Sequence, residues 1–199
     1  MPERTWSAAI ADVRRSAARH KLASSIVAAC VALSLAAIAW AGTSTGAAAT
    51  PAADPVAPAF SLPVLTHSGL SRTGIRVSLR DYTGKPLIVN FFASWCSPCK
   101  SETPLLARFY RSEHGKVALV GLDENDVVGN AMKFIGSDGV TYPVGWDPGL
   151  MAASGYGVTG LPQTFFLDAR HRIVDRIFGA VTTAELAKGI ALATGGSAR

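Results

Sequence analysis

The sequence predicts an α/β domain, a mixed sheet flanked by helices, carried behind one transmembrane segment. Three observations predict it. A charge-free apolar stretch lies near the start, two apolar runs of strand length occupy 87–92 and 117–122, and strand and helix patterns alternate before ending in a hairpin and a helix. A chain of 199 residues accommodates one domain of ordinary size plus an N-terminal extension.

The extension comes first. Within residues 1–21, Arg4, Arg14, Arg15, Arg19 and Lys21 face only Glu3 and Asp12, which accounts for +3 of the total charge of +5. The remaining chain is nearly balanced and has no Lys/Arg runs, so nucleic acid is not an expected partner. Residues 22–42, LASSIVAACVALSLAAIAWAG, carry no charge and match the ~20 residues that span a bilayer. The basic flank predicts residues 1–21 on the cytoplasmic side, residues 22–42 as a single-pass anchor or uncleaved signal, and the rest outside the cytoplasm. Two alternatives remain: a signal cleaved near Ala47, Ala48 and Ala49, which would release a secreted protein, and a lipid attached at Cys30 after Val27-Ala28-Ala29. Residues 43–58, rich in Gly, Ala, Thr and Pro, read as a flexible linker, and residues 59–199 as the globular domain.

Within that domain, Phe60 to Leu65 and Ile75 to Leu79 read as short strands around a polar turn. Leu87 to Phe92, LIVNFF, reads as a central buried strand. A helix follows, with Pro98 in its first turn and Leu105, Leu106, Phe109 and Tyr110 at helical spacing up to His114-Gly115. Val117 to Leu122 is a second buried strand, and Asn125 is expected to cap a helix from Asp126 to about Ile135, ended by Gly136. Val140 to Val144 reads as a short strand and Asp147 to Ser154 as a helical turn or two. Gln163 to Asp168 and Ile173 to Phe178 form a hairpin through Ala169-Arg170-His171-Arg172, and Thr182 with Glu185 makes a capping box for a last helix to about Thr194-Gly195.

Cys96-Ser97-Pro98-Cys99 stands where a buried strand meets a helix. Free N–H groups and the positive end of the helix dipole favour thiolate there, and thiolate is the nucleophile. The spacing puts both sulfurs on one helical turn, with Cys96 the more exposed. Cys96 is therefore expected to attack a partner's disulfide and Cys99 to resolve the mixed disulfide. A zinc site lacks further ligands at suitable spacing, since His20, His67, His114 and His171 are scattered and Cys30 lies in the apolar run. No metal or cofactor is expected beyond the Cys96–Cys99 disulfide. A purely structural disulfide remains an alternative, although so short a loop constrains the unfolded chain little.

The stretch from Val89 to Pro104, VNFFASWCSPCKSETP, resembles the active-site segment of the thioredoxin superfamily, and more closely the membrane-anchored ResA/TlpA/DsbE group. Tyr156-Gly157-Val158-Thr159-Gly160-Leu161-Pro162-Gln163-Thr164-Phe165 is similar to the family segment in which a cis-proline faces the two cysteines. The resemblance covers about residues 58 to 195. It implies a thioredoxin-like fold with an N-terminal β extension and a central insert, a cis Pro162, and Leu161 beside the sulfurs with its backbone free to pair with a client. It also implies Trp95 and Pro98 at the docking surface and a kink at Pro104. Asn90 stands where cytoplasmic thioredoxins have a buried Asp, whereas Glu102 matches a Glu of the anchored group. Glu102 is thus expected either to shuttle the proton of Cys99 or to stabilise the helix dipole. Gln163 departs from the Glu of some DsbE-type members.

The activity implied is extracytoplasmic protein thiol-disulfide exchange, reducing client disulfides such as those of apocytochrome c in cytochrome c maturation, with a membrane thiol carrier as electron donor. The alternatives are an oxidase or isomerase for secreted proteins and a non-catalytic binding module.

Overall fold

The computed structural model describes residues 55–71, 74–112 and 116–195. The expected cytoplasmic segment 1–21, the anchor 22–42 with Cys30, and the linker up to residue 54 lie outside the described residues. No helix of the described residues is long and apolar enough to cross a membrane.

The strands are β1 (Ser61–Thr66), β2 (Gly69–Leu70), β3 (Arg76–Ser78), β4 (Leu87–Phe92), β5 (Ala118–Glu124), β6 (Val144–Asp147), β7 (Gln163–Leu167) and β8 (Ile173–Phe178). The helices are α1 (Ser97–Ser112), α2 (Val128–Ser137), α3 (Met151–Gly155) and α4 (Thr183–Ala193). The sheet order is β2-β1-β6-β5-β4-β7-β8, with β3 paired to β1. β4, β5 and β6 run parallel, while β7 lies antiparallel to both β4 and β8.

β4 is the centre because it can be buried on both sides. Successive side chains of a strand point to opposite faces. Leu87, Val89 and Phe91 enter one apolar cluster with Val120, Phe165 and Tyr156. Ile88 and Phe92 enter the other, which holds Leu106 and Ala107 of α1, Phe134 of α2 and Leu186 of α4. Asn90 projects from the same face as Ile88 and Phe92 and is the polar residue of this strand, 1% exposed.

Several boundaries differ from the sequence reading. β1 is displaced by one residue, and β3 stops at Ser78 because Leu79–Tyr82 turn into a 3-10 helix, where Asp81 accepts the N–H of Ser78 at 2.7 Å. β6 replaces the strand expected at Val140 to Val144. Pro143 has no N–H for a ladder, and pairing with β5 runs from Gly121↔Val144 to Glu124↔Asp147. Asn125 does not cap α2. It has φ +48°, and α2 starts at Val128 behind Val127, which supplies no side-chain cap. α3 starts only at Met151, because Asp147 ends β6 and its carboxylate accepts the N–H groups of Met151, Ala152 and Ala153 at 2.8 to 3.0 Å. Pairing also reaches back into the expected linker: Val56 bridges Arg172, Ala57 donates to His171 O at 2.8 Å, and Pro55 O accepts from Ile173. The β7–β8 turn forms where expected, with Asp168 Oδ1 accepting the N–H groups of Arg170 and Arg172.

α4 packs tightly on β7. A Cβ on Gly189 would lie 2.5 Å from three atoms of the Phe166 ring, itself fully buried. Ala improves helix propensity by ~1 kcal/mol over Gly, but forcing a methyl into a filled core costs roughly 1–3 kcal/mol. Gly189→Ala should therefore lower stability on balance, with an earlier denaturant midpoint and an unchanged slope as the readout.

Candidate active site

The strand-to-helix junction carries the two cysteines. Cys96 is the residue before α1, its N–H bonded to Ala93 O at 3.1 Å and its carbonyl accepting from Lys100 N at 3.4 Å. Its sulfur is bonded to that of Cys99. The backbone N–H of Cys99 also points at Cys96 Sγ, 3.2 Å away. Cys96 thus occupies the N-cap position, and its sulfur takes the place that the oxygen of a capping Ser or Asp has at a helix start. A thiolate there receives a charge-assisted hydrogen bond and faces the positive end of the α1 dipole. Both cysteines are buried in the disulfide form, Cys96 at 4% and Cys99 at 0% exposure, which preserves the expected order of access.

The loop before β7 brings the second motif to the same place. Leu161–Pro162 is a cis peptide bond, and Leu161 packs against the cluster that contains both cysteines. Arg176 of β8 holds this loop, donating through Nη2 to Gly157 O at 2.7 Å and through Nε to Gln163 Oε1 at 3.2 Å. Trp95 and Pro98 form exposed rim, the indole of Trp95 being 59% exposed and tied by its N–H to Asn125 O at 3.2 Å.

Glu102 sits beneath, on the buried face of α1 and 2% exposed. It lies beyond the first turn, so a solvent-facing role at the helix dipole is not where the structure puts it. Oε1 accepts from Asn90 Nδ2 at 2.8 Å and Oε2 from the N–H of Val181 at 2.7 Å. Asn90 Nδ2 donates as well to Thr164 Oγ1 at 3.0 Å, so one buried network joins β4, α1 and β7 two residues beyond Pro162. Burial raises the Glu102 pKa to about 7, and the two donors hold it from rising further. Thr164 and the Val181 amide were not legible as members of this site; both are distant in sequence and neither residue type carries a signal alone. Among the described residues, no group of three or more His, Cys, Asp or Glu side chains is placed to hold a metal ion.

The chain matches the Redoxin family profile over residues 51–190. It belongs to the Redoxin family. This Redoxin chain is 32% identical over 114 residues to the thiol-disulfide oxidoreductase ResA of Bacillus thuringiensis (strain Al Hakam), a match covering 57% of this chain and 66% of that relative's length. It is 34% identical over 146 residues to the thiol:disulfide interchange protein CycY of Rhizobium leguminosarum bv. viciae, covering 73% and 69%. Among solved structures, a thiol:disulfide interchange protein of the thioredoxin family from Chlorobium tepidum TLS superposes with a TM-score of 0.59 at 32% identity, over 72% of this chain and 99% of that one. The Redoxin domain thus has the thioredoxin-like fold, a mixed sheet flanked by helices.

Proposed function

We propose that this chain is an extracytoplasmic protein thiol-disulfide oxidoreductase that reduces client disulfides. The observation that carries this is the Cys96 sulfur at the N-cap of α1, facing an N–H donor at 3.2 Å, in a site that also holds a cis Leu161–Pro162 peptide. In the reduced state the Cys96 thiolate attacks one sulfur of a client disulfide, the client S–S bond breaks, and the departing client sulfur leaves as thiolate. Cys99, deprotonated with Glu102 as acceptor, then attacks Cys96. That step closes the Cys96–Cys99 bond and releases the client's second sulfur as thiolate, so two electrons have moved to the client. The backbone at Leu161 pairs with the client as an added strand, and Trp95 and Pro98 border the docking surface.

The resemblance to the ResA/TlpA/DsbE group supports apocytochrome c as client and a membrane thiol carrier as electron donor. The charge-free segment 22–42 behind five cations supports a single-pass anchor, with residues 1–21 cytoplasmic and a linker from residue 43 leading to the domain. Reduction potential decides direction. A value near about −270 mV favours the reductase and one near about −120 mV an oxidase.

Trapping tests the reading. In membranes, Cys99→Ala should accumulate covalent complexes through Cys96 that dithiothreitol releases, and mass spectrometry then names the clients. No adducts under either reducing or oxidising growth would leave the disulfide a structural one.

A further inference from the structure

The turn that delivers Cys96 from β4 into α1 is held from the side by the segment between β5 and α2. Ser94 donates its backbone N–H to Asp126 Oδ2 at 2.6 Å and its hydroxyl to Asp126 Oδ1 at 2.9 Å. The N–H of Val127 reaches the same Oδ1 at 2.7 Å. Two indoles secure the backbone of this segment, Trp95 donating to Asn125 O and Trp146 to Asp126 O, each at 3.2 Å. Asp126 is 8% exposed, and nothing in the exchange steps above uses it. A carboxylate so placed acts on the loop, not on solvent.

Asp123 lies beside it, 0% exposed, and among the described residues no N–H or hydroxyl group donates to either of its carboxylate oxygens. Burial comes first in raising its pKa, to about 9, followed by the charge of Asp126, a hydrogen bond between the Asp123 and Asp126 carboxyl groups, and the charge of Glu124. At neutral pH Asp123 therefore keeps its proton and donates it in the hydrogen bond to Asp126. Among the described residues, no cation is found to act on Asp123. The β4 and β6 neighbours in register are Phe92 and Trp146, and Asp147 of β6 acts on Glu124. Lys100 of α1 and Lys133 of α2 line the cavity beside Ser94 and Trp95.

We propose that Asp126 is a positioning residue for Cys96, holding through Ser94 the turn that aims the sulfur, and that Asp123 makes this clamp open in alkali. The inference rests on Cys96 as the attacking thiol. With one shared proton, Asp126 is free to accept from Ser94. Removing that proton sets two carboxylates side by side out of water, where like charges repel strongly. Asp126 then moves off Ser94, and the turn no longer presents Cys96 at the N-cap.

The test uses the full-length chain in detergent micelles with two readouts between pH 7 and 10.5. One is insulin-disulfide reduction. The other is the fluorine NMR resonance of 5-fluorotryptophan at Trp95, assigned with Trp95→Phe, which reports the clamp whether or not the chain exchanges disulfides. In the wild type both should step near the Asp123 pKa of about 9, with the exchange rate falling as the resonance moves. In Asp123→Asn, which has no proton to lose, the step is absent from both. Asp126→Ala, which strands the Ser94 donor, should slow exchange at pH 7 about tenfold, and Asp126→Asn, which keeps one acceptor oxygen, should recover part of it. If Asp126→Ala does not fold, the Asp123→Asn profile carries the test. A wild-type resonance that is flat across this range, or an Asp123→Asn profile that keeps the step, overturns the clamp. A resonance step that Asp123→Asn removes, in a chain with no exchange activity in any form, overturns the proposed function and leaves the clamp standing.

Discussion

Cys96→Ser should reduce the chain's turnover of insulin disulfides to the rate of dithiothreitol alone, and should yield no client adducts even when Cys99 is also replaced. The reason is chemical and positional together. A serine oxygen cannot form or break a disulfide, and the sulfur it replaces is the one at the helix start with the Cys99 N–H 3.2 Å away. Cys99 cannot substitute for it, being fully buried behind Cys96. The two single replacements should therefore behave differently. Cys99→Ala keeps the first attack and stalls at the mixed disulfide, while Cys96→Ser never reaches it. Site-resolved alkylation of the reduced chain checks the premise independently: Cys96 should alkylate at neutral pH faster than a free peptide cysteine, because a helix N-terminus raises its thiolate fraction. Equal rates would remove the physical basis for assigning Cys96 as the attacking group.

What was legible in the sequence depended on how local its cause was. β4 has both ends where the sequence reading set them, because an apolar run that must be covered on two faces declares itself and Pro86 stops it from starting earlier. The Thr182–Glu185 box is a contact over three residues, and its hydrogen bonds are present, Thr182 N–H to Glu185 Oε2 at 2.9 Å and Glu185 N–H to Thr182 Oγ1 at 3.3 Å. Asp126 is the opposite case. In the sequence it is an acidic residue at the start of a helix pattern, yet its carboxylate serves Ser94, 32 positions away, and Asn125 turns left-handed to let it do so. Glu102 became a candidate through the family resemblance, which has a Glu three residues after the second cysteine, but its partners Asn90 and Val181 lie 12 and 79 residues away. No pattern of composition carries a contact of that span. The cis bond at Pro162 became an expectation only through the family resemblance, since Gly160-Leu161-Pro162 by itself does not specify an isomer.

Glu102 is the residue whose ionisation should be visible in both stability and rate. Its native pKa of about 7 stands above the ordinary carboxylate value of 4.5 because burial penalises the charge. A carboxyl raised in the folded state lends stability that is fully present below its unfolded pKa and is lost as pH rises through the folded one. The wild type should accordingly lose roughly 3 kcal/mol from this group between about pH 4.5 and 7.5, read as a falling denaturant midpoint. Glu102→Gln has nothing to ionise and should flatten that window. Its amide can be accommodated, because Asn90 Oδ1 has no partner among the described residues and can accept from the new NH2 group. The rate follows the opposite sign. If the Glu102 carboxylate receives the Cys99 proton, resolution of a mixed disulfide should accelerate with rising pH around a midpoint near 7, as the base becomes available. In Glu102→Gln that midpoint should vanish and the rate at pH 7 should fall ~100-fold, the usual scale for a lost general base. Rapid-quench measurement of mixed-disulfide decay separates the two roles. A flattened stability profile with an unchanged rate profile would make Glu102 a buried carboxylate without a part in the proton transfer, and Cys99 would then lose its proton directly to water as Cys96 opens.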